Sequence, residues 1–189
     1  RGIYLFFNSN NNNLTNSTGA SNSSYGVSLT LSSNNRITNN SISSNTSTAL
    51  FLDSSSGTNT FLANNISGAA WVNNSGTNSN FNNSSAGNIY YFSNGSGSWT
   101  TFDIRDENYD SVADVGSSLP FNNTTVSGYW LGNGTDYYPR MFASVFGNGS
   151  NISAPNFTSL SASISNNTTI NGRGYEGIHS VAISDANQT

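Results

Sequence analysis

Residues 25–31 read Tyr-Gly-Val-Ser-Leu-Thr-Leu. Val27, Leu29 and Leu31 alternate with small residues, the period of a half-buried strand. A related phrase stands earlier, at Gly2-Ile3-Tyr4-Leu5, and returns at Thr48-Ala49-Leu50-Phe51-Leu52. The starts lie 23 to 24 residues apart, a spacing typical of solenoid repeats. A fourth, shorter copy begins at Ala69 with Ala-Ala-Trp-Val-Asn-Asn. Small polar stretches such as residues 32–40, SSNNRITNN, fill the intervals.

Within each interval a second apolar position recurs at Leu14, Ile37 and Leu62, and a third at Ile42 and Ile66. Each repeat therefore offers two or three short strands. Asn, Ser and Gly join them, residues that tolerate the left-handed backbone of sharp bends. Stacked repeats of this kind predict a parallel β-helix of about four coils. Asn16, Asn39, Asn64 and Asn82 follow the second strand at similar places, and stacked asparagines can hydrogen-bond along the axis as a ladder.

The pattern of Gly, Ile or Val and Leu, then Asn-Asn, Ile and Asn-Asn again, resembles the right-handed parallel β-helix repeat of archaeal and bacterial surface proteins, including the NosD-like group. The resemblance spans residues 1–92. It implies an all-β fold and says little of activity, because this architecture hosts many. Residues 93–147 change character: with the preceding Tyr90, Tyr91 and Phe92 they hold Trp99, Phe102, Phe121, Tyr129, Trp130, Tyr137, Tyr138, Phe142 and Phe146. This segment resembles the one that closes such helices in archaeal surface proteins, and a solenoid end needs a cap. Residues 148–189 read as a linker and a β-strand tail, with Leu160, Ala162 and Ile164 alternating. Two strands alone are unstable in water, so the tail needs a sheet from this chain or a neighbour.

Composition narrows the function. Charged residues are 7% of the 189, the net charge is -4, and there is no Cys. A disulfide framework and thiolate metal sites are excluded. Five scattered cations give no basic patch for nucleic acid. No apolar run is long enough to cross a membrane. The chain opens inside a strand pattern and reads as a mature chain or a fragment. Asn, Ser and Thr make up roughly half of it and create nineteen Asn-X-Ser/Thr sequons. N-linked glycans would supply the solubility that charge does not. Candidate sites are Asn22, Asn45, Asn94, Asn133, Asn148 and Asn156. A glycan on Asn39 would conflict with an inward ladder at that position.

One loop carries metal-like spacing. Asp106, Asn108, Asp110 and Asp114 occupy positions 1, 3, 5 and 9 of a calcium-hand loop, and the Val112 carbonyl falls at position 7. Two departures stand out: Ser111 replaces the usual Gly, and Ser117 replaces the final Glu. The expected cofactor is calcium in a structural role.

No catalytic residues are expected. Residues 1–100 contain only Arg1, Arg36 and Asp53 as charged groups, too few for paired acid–base work on the coils. His179 is the single histidine. The expectation is a non-enzymatic, extracellular structural subunit of a glycosylated filament or surface layer, archaeal by resemblance, polymerising head-to-tail through β-strands. The alternatives are an adhesin that binds surface glycans, with Trp99 or Trp130 as platforms, and, further off, a polysaccharide-active enzyme.

Overall fold

The computed structural model describes residues 2–99, 101–108 and 110–140. These residues form twelve strands. The expected tail and linker at 148–189 lie outside them, as do Phe142, Phe146 and His179. The architecture is a right-handed parallel β-helix closed by an aromatic-rich cap. Its first face stacks β1 (Ile3–Phe6), β4 (Val27–Thr30), the later part of β6 (Ser41–Leu52), the later part of β8 (Asn65–Asn74) and β12 (Trp130–Gly132), all parallel. The second face is β2 (Asn13–Thr15), β5 (Arg36–Thr38) and β7 (Thr60–Leu62). The third is β3 (Thr18–Ser21), the early parts of β6 and β8, and β9 (Ile89–Phe92).

Parallel register puts equivalent side chains in columns. Ile3, Val27, Leu50, Val72 and Trp130 make one inward column. Leu5, Leu29 and Leu52 make the next and end on Asn74. Ile42, Ile66 and Tyr90 make a third. Val27, Leu29, Leu50, Leu52, Ile42 and Ile66 are fully buried, each worth roughly 1.5–3 kcal/mol relative to exposure. On the second face Ile37 is followed by Phe61, which stacks on Phe81 at 5.1 Å. The sequence reading placed Leu62 in this column. Leu62 instead pairs with Thr38 and is only half-buried. Phe-Leu are both apolar, so the alternation there does not say which of them points inward, and a slip of one residue exchanges the faces.

Asparagine dominates the corners for a backbone reason. Asn11, Asn34 and Asn78 take φ of 60°, 59° and 56°, and Asn16 and Asn39 take 52° and 61°. Asn enters this left-handed region more readily than other residues with a side chain. Of the ladder expected from sequence, Asn64 lies in the interior, whereas Asn16 and Asn39 lie outside and Asn40 and Asn88 take the neighbouring interior rungs. Asn39 is exposed, and its Nδ2 bonds Asn16 Oδ1 on the outside. Buried Asn40, Asn64 and Asn88 form the interior ladder. The N–H of Ser17 reaches Asn40 Oδ1 at 2.8 Å, that of Asn40 reaches Asn64 Oδ1 at 3.0 Å, and that of Asn64 reaches Asn88 Oδ1 at 3.1 Å. A parallel ladder runs from Asn12 through Asn35 and Asn59 to Ser79. These side chains satisfy amides at turns that would otherwise be buried without partners.

The cap packs on the fourth coil. Trp71 is buried and touches the rings of Tyr90, Phe92, Phe102, Phe121 and Tyr129, with centroids 4.9 to 5.8 Å away. A short antiparallel pair, β10 (Ile104–Arg105) and β11 (Val115–Gly116), lies in the same segment. Because Trp130 pairs with Val72, the cap contributes the last strand of the coil sheet.

Candidate functional site

The capped end concentrates the chemistry. Asp136 is fully buried and stands where the next asparagine of the interior ladder would stand. The N–H of Asn88 donates to its Oδ2 at 2.9 Å, and the Tyr90 hydroxyl donates to the same oxygen at 2.9 Å. The N–H of Tyr138 donates to Oδ1 at 3.0 Å. Gly87 lies against the carboxylate, and a Cβ at that position would overlap it. Burial pushes the Asp136 carboxyl up to about 7, although the bonds from Asn88, Tyr90 and Tyr138 favour its charged form. Burial, and secondly the neighbouring Asp136 charge, raise the Tyr90 hydroxyl well above its usual value. The sequence reading passed over Asp136; the cue was an acid one residue before Tyr-Tyr-Pro at the cap's end.

The acidic loop is folded on itself. Asp106 accepts the N–H groups of Asp110 and Ser111 at 3.2 and 2.7 Å. Asp114 accepts those of Glu107 and Asn108 at 2.8 and 3.0 Å. Asn108 Oδ1 accepts from Asp110 N–H, and Asp110 Oδ1 accepts from Val112 N–H. Ser111 takes φ of 71°, the left-handed conformation that makes glycine usual at that loop position. The carboxylates, however, are engaged by amides, and among the described residues no three acid or histidine side chains gather where they could hold a metal ion.

A shallow depression of about 430 Å³ lies beside this loop, lined by Asp110, Asp114, Leu119, Pro120, Tyr137 and Tyr138, with Ser84 and Ser85 from the coils. Tyr137 is 59% exposed. The platforms expected from sequence differ from these: Trp130 is buried in the core, and Trp99 is half-buried.

Sequon asparagines and buried asparagines are separate sets. Buried Asn35, Asn40, Asn59, Asn64, Asn74 and Asn88 head no sequon. Every sequon asparagine among the described residues is exposed or half-buried. Asn22, Asn45, Asn94 and Asn133 are all exposed. Asn94 Oδ1 accepts from both the N–H and the hydroxyl of Ser96, the third sequon residue. Asn133 is more constrained, since its Nδ2 donates to the Gly76 carbonyl at 3.1 Å. Asn148 and Asn156 lie outside the described residues.

On the coils, Asp53 is occupied structurally: it accepts from the N–H of Leu31 and from the hydroxyl of Ser56. Exposed apolar side chains follow another pattern. Tyr4, Phe6 and Phe7 lie on the first coil and Leu31 on the second, while Leu131, Tyr137 and Tyr138 lie at the capped end. Among the described residues, the coils between carry no large exposed apolar side chain. No described helix is long and apolar enough to cross a membrane.

Residues 1–86 match a family model described as a right handed beta helix region. No match was found among curated proteins or solved structures. The match over residues 1–86 and the stacked parallel strands agree on a β-helix repeat fold.

Proposed function

We propose that this β-helix is a structural subunit of an extracellular, N-glycosylated filament or cell-surface layer, assembling head-to-tail. One observation carries the reading: the large exposed apolar side chains lie on the first two coils and at the capped end, and among the described residues none lies on the coils between. Among the described residues β1 is the outermost strand of the first face, and a further parallel strand, from this protein or from a neighbouring subunit, would pair with it. Phe7 and Leu31 also hold left-handed backbone, φ 45° and 53°, which costs roughly 1–2 kcal/mol per residue. Exposed rings on such corners are stabilised when another surface covers them. Contacts between unlike ends do not close on themselves and so build filaments. A strand donated from 156–189 to a neighbour's edge belongs to the same proposal.

Glycans complete it. Separation of sequons from buried asparagines leaves the interior ladders free of attachment sites, and sugars would solvate a chain that has little charge. Calcium enters through the 106–114 loop as a structural ion that displaces amide donors from Asp106, Asp110 and Asp114. The archaeal and NosD-like affinities of the repeat remain part of the proposal, as does the non-enzymatic role.

The test is assembly of the purified full chain with Phe6→Ser and Phe7→Ser as variants. Exposed positions of this kind tolerate substitution, so the variants are expected to fold and to stop polymerising. Variants that polymerise like the parent refute the end-contact reading.

A second reading has its own observation. The depression beside Tyr137, with Asp110 and Asp114 on its wall, offers a ring face and acceptor oxygens, as an adhesin's glycan site would. Saturable glycan binding lost in Tyr137→Ala would favour it. Turnover of a polysaccharide would instead revive the enzyme.

A further inference from the structure

Two pairs of sequon asparagines stack in register on successive coils. Asn16 and Asn39 directly follow the paired residues Thr15 and Thr38. Asn22 and Asn45 directly follow the paired Ser21 and Ser44. In both pairs the later residue donates from Nδ2 to the Oδ1 of the earlier one, at 2.8 Å for Asn39 to Asn16 and 2.6 Å for Asn45 to Asn22. All four asparagines are exposed.

We propose that each stacked pair carries at most one N-linked sugar, on the earlier member, Asn16 or Asn22. This rests on the glycoprotein reading above and specifies which of its sites are used. Attachment forms a bond between asparagine Nδ2 and the anomeric carbon of a sugar carried on a lipid phosphate. The bond from that carbon to the phosphate oxygen breaks, the phosphate leaves with the electron pair, and Nδ2 gives one proton to a base.

Geometry separates the two members of a pair. The Nδ2 of Asn39 or Asn45 is turned toward the neighbouring coil, so a substituent there is crowded by the side chain above it. Asn16 and Asn22 present Oδ1 to their partner, and no described residue bonds their Nδ2. Crowding then disfavours a second sugar. Neighbouring strands lie about 4.8 Å apart, and a pyranose with its substituents is broader than that unless successive rings stack flat. Flat stacking would in turn fix the linkage torsions of two flexible glycans, at an entropic cost. Three other coil sequons have no such rival in register: Asn13 stacks on Arg36, Asn65 lies between Ser41 and Ile89, and Asn73 lies between Phe51 and Leu131.

The test uses the protein isolated from cells that glycosylate it. No acidic residue precedes Asp53, so cleavage after acidic residues keeps Asn16, Asn22, Asn39 and Asn45 on one fragment. Site-resolved mass spectrometry of that fragment is expected to find sugar on Asn16 and Asn22, with Asn39 and Asn45 bare. Fragments with both members of a pair modified, or with Asn45 modified in preference to Asn22, overturn the proposal and leave the glycoprotein reading standing. A chain bare at every sequon overturns both. Asn22→Ala removes the first sequon and its acceptor oxygen together. Asn45 is expected to change from bare to mainly modified in that variant, and an Asn45 that stays bare also overturns the proposal.

Discussion

The backbone N–H of Asn88 meets the Asp136 carboxylate at 2.9 Å, the same contact that the Asn64 N–H makes with the Asn88 side chain at 3.1 Å one coil earlier. Asp136 is therefore the terminal rung of the interior ladder. An asparagine inside the ladder accepts from one coil and donates to others: Asn64 Nδ2 bonds the Ile37 carbonyl, and Asn88 Nδ2 bonds the Phe61 carbonyl. At the last rung the described donors are Asn88, Tyr90 and Tyr138, which suits a side chain made of acceptors.

That rung makes the cap pH-dependent. A free aspartate titrates near 3.9, whereas burial lifts Asp136 to about 7. Between these values the folded state binds the proton that the unfolded state has lost. Its stabilising contribution is thus full below the unfolded value and is lost as pH rises through the folded one. Thermal unfolding is expected to show the cap more stable at pH 5 than at pH 8, by about 2–4 kcal/mol. Asp136→Asn should flatten this difference. A wild-type profile that is level from pH 5 to pH 8 contradicts the assignment.

Asn64→Ala should cost about 2–3 kcal/mol, because it leaves the buried Asn40 N–H without its acceptor and removes the Nδ2 bonds to the Ile37 carbonyl and Asn88. Asn39→Ala, on the surface but at φ 61° and bonded to Asn16, should cost about 1–2 kcal/mol, less than the interior change. Urea unfolding of the two variants measures this; equal losses would mean that the interior ladder is not the stabilising one.

Trp71→Ala should destabilise by about 3–5 kcal/mol, since two rings of β9 and three of the cap lose their common neighbour. Near-ultraviolet circular dichroism should show the aromatic cap disordered, while far-ultraviolet signal from the coils persists. Retention of the full aromatic signal would place the cap's organising contacts elsewhere.

Calcium at about 0.1–1 mM, the range of extracellular modules, should raise the cap's melting temperature, and Asp110→Ala should remove the effect. Asp110 tests the ion cleanly because its side chain accepts a single described backbone bond, from Val112. If chelator and added calcium leave the melting curve unchanged, the 106–114 loop is an acidic turn closed by its own amides.

The coils were legible because alternation and period coincide: Val27, Leu29, Leu50 and Leu52 each fall where the sequence places them. Legibility failed where both neighbours were of one type. Phe61 against Leu62 and Asn39 against Asn40 differ only in which residue faces inward, and nothing local decides that. Asp136 was hidden for another reason: its role comes from Asn88, 48 residues away. Trp71 was placed in the fourth repeat, but its position at the centre of the cap depends on rings that the chain delivers up to 58 residues later. The acidic loop shows the converse, a spacing plain in sequence whose side chains the fold turns toward backbone amides.

Electron micrographs of the native material test the central claim most directly. The account predicts continuous filaments or a surface lattice, with strands repeating about every 4.8 Å along the subunit axis and glycan density on the coil exteriors. Dispersed single subunits in native material, with no ordered contact between ends, would contradict it.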